Sequence, residues 1–255
     1  MEHAQVTWGQ VDPAVLQRIV VLSPHFDDAV MGAGQMLIRH ANSHTAVITV
    51  LGGRPPSYPD PPSDWDALGG FESGDDVVAV RREEDRAAMQ VLDADHVWLE
   101  FADHQYLEPF DRPKPADVAP VLEDALVAQA PTAVFVPMGL ANPDHVMTHE
   151  AALIVRERHP EWAWFAYEDH GYKHIPGMLA WRVSKLFRSG LWPTPALVPV
   201  SLDAERKRKA LWCYSSQIPP LERDHALTER LDANVPEQFW RLDPPPGGWE
   251  RMVDM

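Results

Sequence analysis

Residues Ile19, Val20, Val21 and Leu22 form an apolar, mostly β-branched run that stops at Ser23-Pro24 and is followed at once by His25, Asp27 and Asp28. A short run of this kind predicts a strand buried on both faces. The small residues after it (Ala29, Gly32, Ala33, Gly34) and the spacing of Val30, Met36 and Leu37 predict a helix over 30–40. Strand, break and helix in so few residues make a βα unit. Asp27 or Asp28 is expected at the helix N-cap, where a carboxylate meets free N–H groups and the positive end of the helix dipole. In an open α/β sheet that turn lies in the crevice at the carboxyl edge, where ligands bind. The plainer interpretation makes Asp28 a helix cap alone and His25 a polar loop residue. His-x-Asp-Asp directly after a buried strand favours a site.

The alternation recurs along the chain. Strands are predicted over 46–51, 96–101, 133–138 and 162–167, and helices over 77–92, 116–130 and 146–159, with Pro120 breaking the second of these near its first turn. Such alternation implies βαβ units and an α/β fold whose mostly parallel sheet is covered on both faces. Residues 52–76 are rich in Pro, Gly, Asp and aromatics, Trp65 and Phe71 among them. An insertion of that length is expected as a lid or substrate wall. Past residue 172 the prolines at 176, 193, 195 and 199 break the pattern, and only 203–213 has helical spacing. Residues 172–255 are expected to pack irregularly on the same core and help wall the site, so that 1–255 form one domain with 1–17 as an N-terminal arm.

The chain has 255 residues, 45% of them apolar, enough for one large α/β domain. Its net charge of −16 argues against nucleic acid and against an anionic membrane surface as partners. A neutral or cationic small-molecule substrate fits better, and a homo-oligomer is left open. Cys213 is the only cysteine, which excludes an internal disulfide and a Cys-rich zinc knuckle. The first residues lack a basic start and apolar run, and no apolar run reaches the length of a membrane span, so a cytoplasmic location is expected.

A second chemical stretch, Asn142-Pro143-Asp144-His145-Val146-Met147-Thr148-His149, also follows a predicted strand and opens a helix. It is therefore expected at the same edge of the sheet. His145 and His149 lie four apart on one helix face, with His145 nearer the helix start. His25, Asp28 and His145 together make a two-histidine, one-carboxylate set, which suits a catalytic Zn2+ with a position left for water. Iron(II) uses a similar set and is not excluded. Asp27, beside a ligand but not needed as one, is free to take a proton from water.

At these residues the chain resembles the PIG-L/LmbE-like family of zinc-dependent N-deacetylases, Rossmann-like proteins that remove acetyl groups from amino sugars and sugar-bearing small molecules. The family's Pro-His-x-Asp-Asp motif stands as Pro24-His25-Phe26-Asp27-Asp28, and its His-x-Asp-His motif as Asn142-Pro143-Asp144-His145. The resemblance implies His25, Asp28 and His145 as metal ligands and Asp27 as general base. Weaker family-like features are Arg81-x-x-Glu84, Asp103, Tyr167-Glu168-Asp169 and Tyr214-Ser215-Ser216-Gln217. Ala29, where many relatives have Glu, matches the branch acting on antibiotic sugars. Asn142 stands where the family usually has a histidine. An amide can donate a hydrogen bond to an oxyanion but not a proton, so Asp27 must move the proton both ways or His104, His149 or His170 must help. On this reading Trp65 closes over the sugar, while Arg81 and Asp103 bind its hydroxyls or a charged substituent. The alternative is a relative that binds a sugar-bearing ligand without hydrolysing it. A nucleotide-binding protein is disfavoured, because the first turn carries Pro-His-Phe-Asp-Asp in place of a Gly-rich phosphate loop.

Overall fold

The computed structural model describes residues 9–231, 235–245 and 247–248. The apolar run after the N-terminal segment forms β1 (Arg18–Ser23), followed by α1 (Asp28–Arg39) and β2 (His44–Thr49). The insertion carries a short α2 (Asp64–Leu68), and then come α3 (Val77–Leu92), β3 (Asp95–Trp98), α4 (Pro115–Gln129), β4 (Ala133–Pro137), α5 (Pro143–Arg158) and β5 (Ala163–Tyr167). The C-terminal part supplies α6 (Met178–Arg188), β6 (Trp192–Ala196), α7 (Ala204–Leu211), α8 (Ile218–His225), α9 (Leu227–Arg230) and β7 (Phe239–Asp243).

Seven strands form one sheet in the order β3-β2-β1-β4-β5-β7-β6. The first five are parallel, and β7 runs antiparallel to both β5 and β6. Period-two alternation in β1 splits the core. Ile19 and Val21 pack on one face with residues of α1, α3 and α7, while Val20 and Leu22 pack on the other with residues of α4 and α5. All four side chains are fully buried, each contributing about 1.5–3 kcal/mol of hydrophobic stabilisation. The chain leaves β1 towards β2 on one side and β4 on the other, so the β1/β4 junction is the switch point of the sheet.

α1 lies close against β5. The Tyr167 ring at the end of β5 is buried under α1, and its hydroxyl donates to the Leu22 carbonyl at 2.8 Å. A Cβ on Gly32 would sit 2.3 Å from that ring, so only glycine fits there.

The irregularity expected beyond residue 172 is corrected in part. Two strands and three helices beyond α6 complete the sheet and cover it. In β6, Pro193 and Pro195 alternate along the sheet's edge strand, where a missing N–H removes no ladder bond from an inner strand. Pro120 does not break α4. Its missing hydrogen bond would go to the carbonyl of Ala116, and both residues are exposed, so that carbonyl is open to solvent. β3 ends three residues earlier than expected, because Leu99 to Phe101 turn to pair with the backbone of 49–53. Of the expected N-terminal arm, residues 1–8 lie outside the described residues.

Candidate metal centre and active site

β1 and β4 deliver the two chemical stretches to one crevice. Between β1 and α1, buried Ser23 organises the turn, its hydroxyl donating to the His25 carbonyl and accepting the Ala29 N–H at 2.9 Å. Asp27 occupies the N-cap position, but its side chain makes no capping bond. The expected carboxylate cap is thereby corrected: Ser23 satisfies the helix donor and leaves both carboxylates to the site. After β4, Asn142 caps α5 through its Oδ1, which accepts the Asp144 N–H at 2.8 Å.

His25, Asp28 and His145 each present one donor atom within 4.8 Å of the others. Asp28 Oδ2 lies 3.1 Å from His25 Nδ1 and 3.3 Å from His145 Nε2. Ligands about 2.0–2.1 Å from a tetrahedral zinc lie about 3.3 Å apart. The outward nitrogen of each imidazole meets a carboxylate, His25 Nε2 with Asp144 Oδ2 at 3.0 Å and His145 Nδ1 with Asp169 Oδ1 at 2.5 Å. Asp169 is itself held by the Leu140 N–H at 3.0 Å. Carboxylates behind both histidines fix the ring orientations and tautomers that a metal requires. The donor set therefore fits a divalent cation, with Asp144 and Asp169 as its outer partners.

Charge follows the same geometry. Burial alone would push His145 down, but Asp28 and Asp169 reverse this and lift it to about 10. Burial opposes ionisation of Asp28 too, yet the two imidazoles hold it well below the usual carboxylate range. Asp27 is the opposite case, raised by burial and then by the neighbouring Asp28 charge to about 7. Its side-chain hydrogen bond among the described residues is a long one, 3.5 Å from Gln217 Nε2.

The centre opens into a cavity of about 380 Å3. Trp65, Arg81, Asp103, His104, Asn142 and Tyr172 all line it, so the expected substrate residues do converge. Arg81 is already engaged, however. Its guanidinium donates to Asp66 at 2.8 Å and to the Tyr106 hydroxyl at 3.3 Å, and the same hydroxyl donates to Asp66 at 2.9 Å. The charge of Arg81 thus ties α2, α3 and the 104–106 turn together. Asp103 caps that turn, accepting the Gln105 N–H at 2.8 Å, and its Oδ2 stands 3.9 Å from His25 Nε2. Trp65 Nε1 lies 3.4 Å from Gln217 Oε1, so the Gln217 amide links the insertion's wall to Asp27.

Two of the three histidines considered as proton donors are elsewhere. His149 is buried behind β4 with Nδ1 2.7 Å from the Pro137 carbonyl, and burial followed by the Arg182 charge lowers it to about 3. His170 lines a separate cavity. Only His104 of the three lines the main one. The weaker sequence features meet in space: Glu84 accepts from Ser215 Oγ, Ser216 N and Ser216 Oγ, each at 2.7 Å, which seats Gln217 beside Asp27. Sequence reasoning assigned no role to Tyr172, Asp144 or Gln217. Of these, only Gln217 and Asp144 stood inside motifs that could have flagged them.

A family model described as PIG-L, GlcNAc-PI de-N-acetylase, matches residues 20–155. Among solved structures, the chain is similar to the A40926 pseudoaglycone deacetylase, at 25% identity over 91% of this chain and 99% of that chain, with a TM-score of 0.71. It is also similar to the zinc-inhibited form of teicoplanin deacetylase, at 25% identity over 91% and 100% of the two chains, with a TM-score of 0.73. N,N'-diacetylchitobiose deacetylase from Pyrococcus horikoshii shares the fold at 18% identity, covering 89% of this chain and 84% of that one, with a TM-score of 0.53. No curated protein matches the chain. No helix among the described residues is long and apolar enough to cross a membrane.

Proposed function

Because the chain belongs to the PIG-L family, we propose that it is a zinc-dependent hydrolase removing an N-acyl group, acetyl foremost, from the amino sugar of a sugar-bearing small molecule. Similarity to two antibiotic deacetylases across nine-tenths of the chain supports the antibiotic-sugar branch. On this reading residues 1–255 act as one deacetylase domain, whose part beyond 172 completes the walls. The observation that carries the proposal is the His25–Asp28–His145 set with a carboxylate behind each histidine, at the foot of a cavity of sugar size.

A divalent cation held by His25, Asp28 and His145 would polarise the amide carbonyl and lower the pKa of water to about neutrality. Asp27 is buried beside these residues and is not needed as a ligand, so it takes the proton of the attacking water and passes it to the leaving amine. Tyr172 stacks edge-on to His145 with ring centroids 5.3 Å apart, and its hydroxyl accepts from Asn142 Nδ2 at 2.9 Å. That leaves the Tyr172 O–H to donate to the developing oxyanion. Asn142 positions Tyr172 and starts α5, and it cannot replace a histidine as an acid. Trp65 offers an apolar face to the sugar ring.

Acetate release from N-acetylglucosamine conjugates by the zinc-loaded protein tests the proposal. Stoichiometric metal with no release above the buffer rate would leave a sugar-binding relative as the reading.

A further inference from the structure

Beyond the 104–106 turn the chain makes a tight loop, with the Asp111 N–H bonded to the Glu108 carbonyl at 2.9 Å, and then presents Arg112 to the main cavity. The Arg112 Nε reaches back to the Leu107 carbonyl at 3.4 Å, so the loop's own backbone steadies the side chain. No carboxylate pairs with Arg112 among the described residues, although four aspartates line the same cavity. Arg81, the cavity's other arginine, is spent on Asp66 and Tyr106.

Three of the four aspartates are committed too. Asp28 and Asp144 face His25, His104 and His145, and Asp103 caps its turn. The loop is firmly founded, since Tyr106 is tied to Asp66 and Arg81. Two residues before Arg112, Phe110 is 98% exposed, placing an apolar ring and a guanidinium with no carboxylate partner among the described residues on one short loop at the cavity. A guanidinium whose two terminal NH2 groups are not taken by a carboxylate is suited to one, which it can bind through two parallel N–H donors.

We infer that Arg112 is a specificity-determining residue that binds a carboxylate on the substrate, outside the acylated amino group. The inference rests on the deacetylase reading for the reaction, but the binding itself does not. The carboxylate could sit on the sugar ring or on the attached aglycone. Both sources present the same group to Arg112, and paired substrates separate them.

The test compares N-acetylglucosamine with N-acetylglucosaminuronic acid, and phenyl with 4-carboxyphenyl N-acetyl-β-glucosaminide, using the zinc-loaded wild type, Arg112→Gln and Arg112→Lys. In the wild type, one carboxylated member should exceed its neutral partner in kcat/KM by roughly ten- to a hundredfold, mostly through KM, as expected for a hydrogen bond between charged groups. The pair that shows the ratio identifies where the carboxylate sits. Arg112→Gln should bring the ratio to about one, and Arg112→Lys should recover part of it, because charge survives without the two-pronged geometry. The assignment is overturned if neither carboxylated compound is preferred by the wild type, or if Arg112→Gln keeps the ratio.

Affinities of the deacetylated products, read from tryptophan fluorescence with Trp65 lining the cavity, make the comparison independent of turnover. If none of the four substrates releases acetate, the deacetylase reading fails. The affinity ratio then decides the role of Arg112 alone: a ratio lost in Arg112→Gln upholds it, and a wild-type ratio near one overturns it.

Discussion

Single residues divide the labour at the candidate metal centre. Asp27 and Asp28 are chain neighbours in one environment, yet the imidazoles hold Asp28 ionised while burial and the Asp28 charge raise Asp27 to about 7. On the proposed mechanism this contrast suits Asp28 to a cation and Asp27 to a proton. Asp27→Asn should retain stoichiometric zinc and lose about a hundredfold or more in turnover, since an amide cannot accept the water's proton. Turnover near the wild-type level would move the base elsewhere. Asp169, 2.5 Å from His145 Nδ1, is expected to act through that ring. Asp169→Asn should weaken zinc binding by roughly ten- to a hundredfold in competition with a chelating dye, the usual cost of losing an outer partner. An unchanged affinity would remove Asp169 from the metal's support.

The elements matter for how they end. α1 and α5 both begin at the crevice, one capped by Ser23 and the other by Asn142. Asn142→Ala removes the cap and the bond to Tyr172 together. Stability should fall by about 1 kcal/mol in chemical denaturation, and turnover should fall through kcat while KM changes little. Loss of stability with turnover intact would restrict Asn142 to capping. α1 must also pass over the Tyr167 ring, 2.3 Å from where a Gly32 Cβ would stand. Gly32→Ala should cost about 1–3 kcal/mol through overpacking, although alanine is the better helix former. A stabilised Gly32→Ala protein would show that the ring can move aside at no cost.

At the scale of the whole molecule, buried polar groups tie stability to pH. His149 stays neutral in the fold, lowered from 6.5 to about 3 by burial and then by the Arg182 charge. Above pH 6.5 the ring is neutral in both folded and unfolded chains and adds no pH dependence. Below it, the unfolded chain binds the proton first, so stability falls with falling pH, at up to ~1.4 kcal/mol per pH unit. His149→Asn keeps a donor for the Pro137 carbonyl and removes the titration. Urea unfolding between about pH 6.5 and 5, above the carboxylate range, should give a shallower pH slope for this variant than for the wild type. Equal slopes would mean that His149 is charged or exposed in the native state.

The sequence alone determined the βα alternation and the placement of His25, Asp27, Asp28 and His145 in the turns and helix starts that follow two neighbouring strands. These follow from patterns a few residues long, in which burial periodicity and helix starts are local properties. It also carried the Arg81-x-x-Glu84 and Tyr214–Gln217 signals, but not their connection through Glu84. Only the tertiary structure decided that Ser23, not an aspartate, caps α1, that Arg81 is paired internally, and that Pro193 and Pro195 belong to an edge strand. The pairings that support the site were hidden, although Asp144 and Gln217 stood in motifs: Asp144 is 119 residues from His25, Asp169 is 24 from His145, and Gln217 is 190 from Asp27. A carboxylate's role depends on which charge or N–H packs against it once water is excluded, and that neighbour is set by the strand order, not by distance along the chain.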